Sequence, residues 1–215
     1  MCDVEFRVVK RGRSDRRYLL IHGDEETARQ TLMAHMKTRS GIAHLVTGKE
    51  RMVVAAGGKL DPNRMFTRIG AERSYRRLNP AWTDAQVQQA LAWLDQRREK
   101  MLGRLLPARG ALLIALHNNS RGYSVKSELE ISEQVSLPRG AAQPHNFFLC
   151  TEQSDFDKLC QTPYNVVLQR GTLGPDDGSL SRLCAARGLR YVNLEVEIGN
   201  LAMQTEMLQA AERLL

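Results

Sequence analysis

Two short apolar runs, residues 18–21 and 111–116, constrain the fold of this 215-residue chain more than any other feature. Every side chain from Ala111 to Leu116 is apolar, which is typical of a central strand covered on both faces of its sheet. Each run is followed directly by a histidine, His22 in the first case and His117 in the second. The sequence therefore predicts two buried strands that end in polar, chemically active side chains.

Strand and helix patterns alternate along most of the chain. Short apolar runs bounded by turn residues predict strands at residues 4–9, 18–21, 42–46, 51–55, 111–116, 129–131, 147–149, 165–168 and 191–197. Apolar residues at helical spacing, with Thr83 as one N-cap, predict helices at residues 27–37, 83–106, 154–161, 179–187 and 203–215. We expect one α/β domain over residues 1–215, a three-layer sandwich in which helices flank a mixed central sheet.

Composition excludes several classes of protein. Hydrophobic residues make up 42% of the chain and charged residues 26%, as in globular proteins, and no stretch approaches the roughly 18 apolar residues that a membrane-spanning helix requires. The N-terminus lacks the pattern of a secretory signal, so we expect a cytoplasmic protein without a membrane partner. The four cysteines, Cys2, Cys150, Cys160 and Cys184, lack a CxxC spacing, which argues against a disulfide scaffold or a zinc finger.

The net charge of +7 permits contact with anionic partners, nucleic acid among them. The basic residues are spread along the chain, with little of the aromatic interleaving that binders of single strands use. We therefore expect no dedicated nucleic-acid surface. The oligomeric state is left open by the sequence.

His22 and Glu25 stand three residues apart at the mouth of the first buried strand, and His117 follows the second. Two imidazoles and one carboxylate, with a position left for water, form a ligand set that is typical of catalytic zinc. The sequence therefore predicts one Zn²⁺ per chain, held by these three residues. The alternative for Glu25 is a carboxylate in the first turn of a helix, favoured only by the helix dipole.

The order of these motifs resembles the zinc carboxypeptidase superfamily. That group includes carboxypeptidase A-like peptidases, murein-peptide amidases, and the succinylglutamate desuccinylase and aspartoacylase deacylases. The resemblance is carried by His22-x-x-Glu25, Asp61-x-Asn63-Arg64-x-Phe66, His117 and the late strand 191–197.

The resemblance implies a zinc carboxypeptidase-like fold and a role for each motif. His22, Glu25 and His117 would be zinc ligands, Asn63 and Arg64 would bind a substrate carboxylate, and Glu195 would be the general base. The implied partner is a small peptide or an N-acyl amino acid. Amide hydrolysis next to a free carboxylate is the first expectation, and N-acyl amino acid deacylation or a noncatalytic binding module on the same fold are the alternatives.

Several residues keep two interpretations. Glu197 competes with Glu195 as the base, because a strand of period two points both to one side. Arg51 is a candidate catalytic arginine that steadies the polarised carbonyl, although its spacing from the Asn63 motif does not match that of relatives. Asn118 is a candidate substrate contact, and either Asn118 or Asn119 is a candidate support for the metal ligands.

Overall fold

The computed structural model describes residues 4–120, 122–171 and 173–215. Within them, eight strands form one mixed sheet in the order β1-β3-β2-β6-β10-β8-β9-β7, and β4 and β5 form a separate two-stranded hairpin. The strands are β1 (Phe6–Arg11), β2 (Arg17–Leu20), β3 (Gly41–Val46), β4 (Val53–Ala55), β5 (Gly58–Leu60), β6 (Leu113–Asn119), β7 (Gln134–Ser136), β8 (Phe147–Cys150), β9 (Asn165–Leu168) and β10 (Tyr191–Glu197).

In the described part of the chain, six α-helices cover the two faces of the sheet. They are α1 (Glu26–His35), α2 (Arg68–Leu78), α3 (Asp84–Leu105), α4 (Gln153–Leu159), α5 (Leu180–Arg187) and α6 (Leu201–Leu214). Residues of α2, α3 and α5 pack in one apolar core, and residues of α1, α4 and α6 pack in the other. The α/β sandwich with a mixed central sheet is therefore confirmed.

The alternation of side chains along β6 explains why one strand serves both cores. Leu113 and Ala115 belong to the core under α2, α3 and α5, whereas Ile114 and Leu116 belong to the core under α1, α4 and α6. Successive side chains of a strand point to opposite faces, so a strand buried on both faces is apolar at every position. The same alternation places His117 on the α2, α3 and α5 face.

Parallel pairing brings the candidate site residues to one edge. β2 and β10 both pair in parallel with β6, and the register sets Glu195 opposite His117. The carboxyl ends of parallel strands lie at the same edge of a sheet. His22, two residues beyond the end of β2, therefore reaches the same edge as His117.

Three local predictions need correction. Residues 129–131 were expected as a strand but belong to the 3₁₀ helix Val125–Ile131, because a Leu-Glu-Ile alternation of three residues fits either structure. The strand expected at residues 51–55 is the short β4, outside the main sheet. Helix α2 is not predicted by the sequence pattern, because its residues are mostly polar and include Gly70.

None of the described helices combines the length and the apolar character that a membrane span needs. Cys150, Cys160 and Cys184 are free thiols. Cys2 lies outside the described residues.

Candidate metal centre

Two segments that are distant in the sequence, residues 22–25 and the end of β6, bring His22, Glu25 and His117 together. His22 follows β2, and Glu25 is the N-cap residue of α1. His117 is the first of the three polar residues that end β6. Each of the three residues is at most 4% exposed. Glu25 makes no side-chain capping hydrogen bond to its own helix, so its carboxylate is turned toward the histidines rather than toward the first turn of α1.

The donor atoms of this group lie close enough to share one ion. His22 Nδ1 is 2.8 Å from Glu25 Oε1, and His117 Nδ1 is 3.2 Å from Glu25 Oε2. One ligand atom from each residue can be chosen so that all three lie within 4.8 Å of one another. Ligands placed tetrahedrally about 2.0–2.1 Å from zinc would be about 3.4 Å apart, so the group fits one ion with little rearrangement.

Asp61 contacts the ring nitrogen of His22 that does not face Glu25. Its Oδ1 lies 3.0 Å from His22 Nε2, and it also accepts a hydrogen bond from the Asn63 backbone N–H. A metal-binding histidine usually donates its second ring N–H to a carboxylate, which fixes the ring and directs the other nitrogen at the metal. Asp61 belongs to the same sequence motif as Asn63, but the motif alone does not predict its contact with His22.

Charge is balanced inside the buried group. Burial disfavours a charged His22 imidazole, but its hydrogen bonds to Asp61 and Glu25 outweigh burial and raise its pKa to about 9. Burial would raise the pKa of Glu25, yet His117 and His22 together hold that pKa far below its ordinary value. Asp61 is also buried, and its hydrogen bond with His22 lowers its pKa to about 2.

A carboxylate oxygen of Glu25 that lacks a hydrogen-bond donor favours a metal ion at this site. Glu25 Oε2 is buried and receives no hydrogen bond from any residue in the described part of the chain, although His117 Nδ1 lies nearby. A buried carboxylate oxygen without a donor is costly, and a bound cation would remove that cost. The donor set of two imidazoles and a carboxylate therefore fits a divalent metal ion.

Glu195 lies beside the ligands on β10. Its side chain is 5% exposed, and its two oxygens accept hydrogen bonds from Asn119 Nδ2 at 3.1 Å and from Asn193 Nδ2 at 3.0 Å. Burial raises the pKa of Glu195, and Glu25 adds to that rise against the opposing effects of His117 and the two amides. Glu197 is exposed at the end of the same strand, so the carboxylate beside His117 is Glu195.

The predicted arginines line the same cavity as the ligands. Arg51 Nη1 lies 3.2 Å from Glu25 Oε1 and 3.8 Å from Asp24 Oδ1, with 44% of its side chain exposed. Arg64 donates to the backbone oxygen of Asn63 and lies 3.5 Å from Asp177 Oδ2. Both guanidinium groups are partly open to the cavity.

The two asparagines after His117 have different neighbours. Asn118 also lines the cavity, but its side-chain oxygen accepts from the Ala28 backbone N–H and its nitrogen donates to Gln204. Asn119, on the His117 face of the strand, carries the contact to Glu195. The Asn118 nitrogen also donates to the Val196 carbonyl at 3.4 Å, so in this structure both of its N–H groups contact the protein rather than the cavity.

The cavity in front of these residues has a volume of about 880 Å³. Four buried polar atoms that lack hydrogen bonds within the described chain belong to residues that line it: Glu25 Oε2, Asn119 Oδ1, Asn193 Oδ1 and Arg182 Nη1. Asn193 and Arg182 were not singled out from the sequence. The signal for Asn193 was its position two residues before Glu195, on the same face of β10.

The remaining histidines lie apart from the ligand group. His35 contacts Tyr18, and His44 is buried on β3. His145 donates from Nδ1 to the Tyr123 carbonyl, while its own carbonyl accepts from Asn119. His145 therefore touches the residue that supports Glu195, but it lies outside the group of metal-binding donors.

Comparisons with known proteins give a distant likeness in structure alone. No family profile matches the chain, and no curated protein sequence matches it. Crystal structures of candidate metallopeptidases from Shewanella denitrificans OS217 and Shewanella baltica OS155 superpose with TM-scores of 0.43 and 0.44, each at 12% identity and over 99% of this chain. The alignments cover 82% and 85% of those chains. A third, from Shewanella amazonensis SB2B, superposes with a TM-score of 0.39 at 11% identity, over 99% of this chain and 85% of its own. Likeness at this level leaves the chemistry of the site to be argued from the residues of this chain.

Proposed function

We propose that this protein is a zinc-dependent hydrolase that cleaves an amide bond next to a free carboxylate, as a carboxypeptidase or a murein-peptide amidase does. The observation that carries the proposal is the buried group of His22, Glu25 and His117 with Glu195 beside it on the neighbouring strand. Zinc supplies, when bound, a water of pKa about 7 and polarisation of a carbonyl.

Glu195 is the residue positioned to act as the general base and then as the general acid. Its raised pKa suits a group that takes a proton from the attacking water and later gives it to the leaving nitrogen. The amides of Asn119 and Asn193 hold both carboxylate oxygens, which fixes the side chain in front of the ligand group. Arg64 and Asn63 bind the free carboxylate of the substrate, since a guanidinium offers a planar pair of donors to a carboxylate.

Deacylation of an N-acyl amino acid is the second candidate. It uses the same ligands and the same base, and the cavity lining supports it with four arginines: Arg51, Arg64, Arg77 and Arg182. Acidic substrates with carboxylates on both sides of the amide would meet several of these groups at once. A substrate panel that contains both peptides and N-acyl amino acids separates the two candidates.

Elemental analysis and hydrolysis assays test the proposal together. The protein reconstituted with zinc should hold one ion per chain and cleave members of a panel of dipeptides and N-acyl amino acids with free carboxylates. Glu195→Gln should still bind zinc but lose about 10²- to 10⁴-fold in kcat, the usual contribution of a general base. Glu197→Gln is the matched control and should keep its activity, because Glu197 is exposed at the strand end.

Two results would overturn the proposal. One is failure of the wild-type protein to bind added zinc. The other is equal activity of Glu195→Gln and wild type on a cleaved substrate. Zinc binding without hydrolysis of any panel member would favour the noncatalytic binding module.

A further inference from the structure

A second cavity, of about 460 Å³, lies between the tip of the β4–β5 hairpin and the first three turns of α3. It is lined by Ala56 and Gly57 at the hairpin tip, by Trp82 before α3, and by Gln86, Gln89 and Trp93 on α3. None of these residues lines the cavity of the candidate metal centre. We call this space the tryptophan cavity, and its volume is typical of sites that bind small molecules.

The spacing of residues along α3 explains why one helix supplies three of these side chains. Gln86, Gln89 and Trp93 are separated by three and four residues, so they lie on one face of the helix. Long side chains on a helix point back toward its N-terminus, which brings the Trp93 indole over the turn that carries Gln89. Trp82 directly precedes the N-cap residue Thr83. The two tryptophans of the sequence therefore line the same cavity.

Both indole rings are half-buried and are held by the protein on one side. The Trp82 ring stacks on Tyr75, with ring centroids 5.5 Å apart and ring planes 23° apart. Its six-membered ring also lies against Gly58, where an added Cβ would overlap it. The guanidinium carbon of Arg97 lies 4.2 Å from the centroid of the Trp93 ring. One face of each indole is thus occupied, and the other face is the one that a ligand can meet.

The two glutamines offer polar groups that the fold does not use. Gln86 Oε1 accepts from the Thr83 backbone N–H at 2.8 Å and from the Thr83 hydroxyl at 3.0 Å, which leaves its Nε2 without an acceptor among the described residues. The exposed side chain of Gln89 forms no hydrogen bond with the described part of the chain. Amide groups that a ligand removes from water must be paired again, so the ligand has to carry hydrogen-bonding groups of its own.

The lining of the tryptophan cavity favours a neutral ligand. None of its described residues is charged, although charged residues make up 26% of the chain. Ala56 and Gly57 have φ of +49° and +81°, the signs of a type I′ turn, in which asparagine, aspartate or glycine is usual at the first position. Alanine is strained there and adds only a methyl group. An anion would find no cation in the lining, and a cation would be repelled by Arg97 across the Trp93 ring.

We propose that the tryptophan cavity binds a small neutral saccharide of glucose-like configuration. The C–H groups on the face of such a ring are slightly positive and pack on the negative face of an indole. Its hydroxyl groups both donate and accept, so they pair with both ends of the Gln89 amide and with Gln86 Nε2. A proline-rich peptide also packs on tryptophan, but its proline residues offer no N–H to Gln89 Oε1. This binding activity is separate from the proposed hydrolysis and needs no metal.

Tryptophan fluorescence tests the proposal directly, because every indole of the chain lines this cavity. The wild-type protein, with a chelator present, is titrated with the neutral disaccharides cellobiose and N,N′-diacetylchitobiose. The control ligands are chitobiose without acetyl groups, which is cationic, sorbitol, which has hydroxyls but no ring, and an oligoproline peptide. At least one neutral disaccharide should change the emission and bind about 10-fold or more tightly than each control ligand, since only a neutral ring satisfies both the indoles and the amides.

Two variants assign the binding to the cavity, with calorimetry as the readout. Gln89→Ala should weaken disaccharide binding about 3- to 10-fold, the usual effect of losing a hydrogen bond between neutral groups. Trp93→Leu should weaken it about 10-fold, because one ring face is lost. Gln209→Ala is the matched control, since Gln209 is an exposed glutamine of α6 on the other face of the sheet, and it should bind as wild type does. Thermal unfolding checks each variant, and the exposed Gln89 can change without loss of the fold even if Trp93→Leu is unstable.

Three results would overturn the proposal. The first is no binding of either disaccharide at millimolar concentration. The second is binding of sorbitol, the cationic chitobiose or the oligoproline as tight as that of the disaccharides; tighter binding of the oligoproline would assign the cavity to a peptide instead. The third is unchanged disaccharide affinity in folded Gln89→Ala, which would place the sugar elsewhere on the protein. Failure of the proposed hydrolysis would leave all of these measurements as they are, because they are made without metal or turnover.

Discussion

At the scale of single residues, Asp61 connects the candidate metal centre to the loop that carries Asn63 and Arg64. One of its oxygens pairs with His22 Nε2 and also accepts from the Asn63 backbone N–H, so a single carboxylate orients both a ligand and the loop that carries Arg64. Its burial, at 5% exposed, keeps water from replacing either contact. Asp61 is therefore a positioning residue that acts through His22.

Asp61→Asn should lower zinc affinity about 10- to 100-fold, the usual effect of removing a carboxylate behind a metal-binding histidine. The amide keeps an acceptor for the Asn63 N–H but loses the charge that holds the His22 ring. Zinc dissociation constants, measured by competition with a chelator and corrected for the proton that each variant releases on binding, check this. Asp177→Asn is the control, because Asp177 pairs with Arg64 and does not touch the ligands; equal affinities of the two variants would contradict the role of Asp61.

The sequence was informative about single residues where strand alternation determines direction, and uninformative where contacts join distant segments. His22, Glu25, His117 and Glu195 each follow or occupy an apolar run, so their position at one sheet edge was predictable. The pairing of Asp61 with His22 spans 39 residues and depends on how the loop after β5 folds back. Arg182 Nη1 is buried without an acceptor among the described residues, a feature of the folded contacts that no local pattern encodes.

At the scale of elements, the site depends on close contact between α2 and the segment that leads into α5. Gly70 of α2 lies against Gly178, and a Cβ at Gly70 would overlap the Gly178 backbone. The Phe66 backbone N–H also donates to the Gly178 oxygen. This contact holds Asp177 beside Arg64 and fixes the start of the helix that carries Arg182.

Gly70→Ala should destabilise the protein by about 1–3 kcal/mol, because overpacking against backbone outweighs the gain in helix propensity. Gly103→Ala in α3 is the matched control, since an added Cβ there meets no described atom within 4 Å. That exposed helical position should instead gain about 0.5–1 kcal/mol. Urea unfolding of both variants measures the difference, and stabilisation by Gly70→Ala would show that α2 does not need the close approach.

Helices α3 and α2 show why some elements were predicted from the sequence and others were not. α3 has a capping box at Thr83 and Gln86 and an apolar face, and its predicted bounds agree with the structure within a residue or two. The sequence of α2 carries basic residues on most turns and buries only Gly70, Ala71, Ser74 and Tyr75. Its helical state comes from packing of those small residues and one tyrosine, which periodicity does not detect.

At the scale of the whole molecule, a metal ion would join segments that are far apart in the chain. The three ligands come from the ends of β2 and β6 and from the start of α1, and His117 is 92 residues from Glu25. The unfolded chain cannot offer these ligands together, so binding should stabilise only the folded state. A free zinc concentration one hundred times the dissociation constant should raise the free energy of unfolding by about 2.7 kcal/mol.

This coupling should depend on pH in a direction that the buried charges determine. His22 without metal has a pKa of about 9, so at neutral pH its imidazole carries a proton that must leave before Nδ1 can bind a metal. Zinc affinity should therefore fall about tenfold for each unit of pH below 9, as one proton is displaced. The carboxylates of Glu25 and Asp61 add no such dependence in this range, because their pKa values are lowered and both are already ionised.

Chelator competition at pH 6, 7 and 8 measures the slope, and calorimetry in buffers of different ionisation enthalpy counts the released protons. In Asp61→Asn the hydrogen bond that raises the His22 pKa is weakened, so the slope should flatten toward neutral pH. An affinity independent of pH in the wild-type protein would show that metal binding displaces no proton from His22.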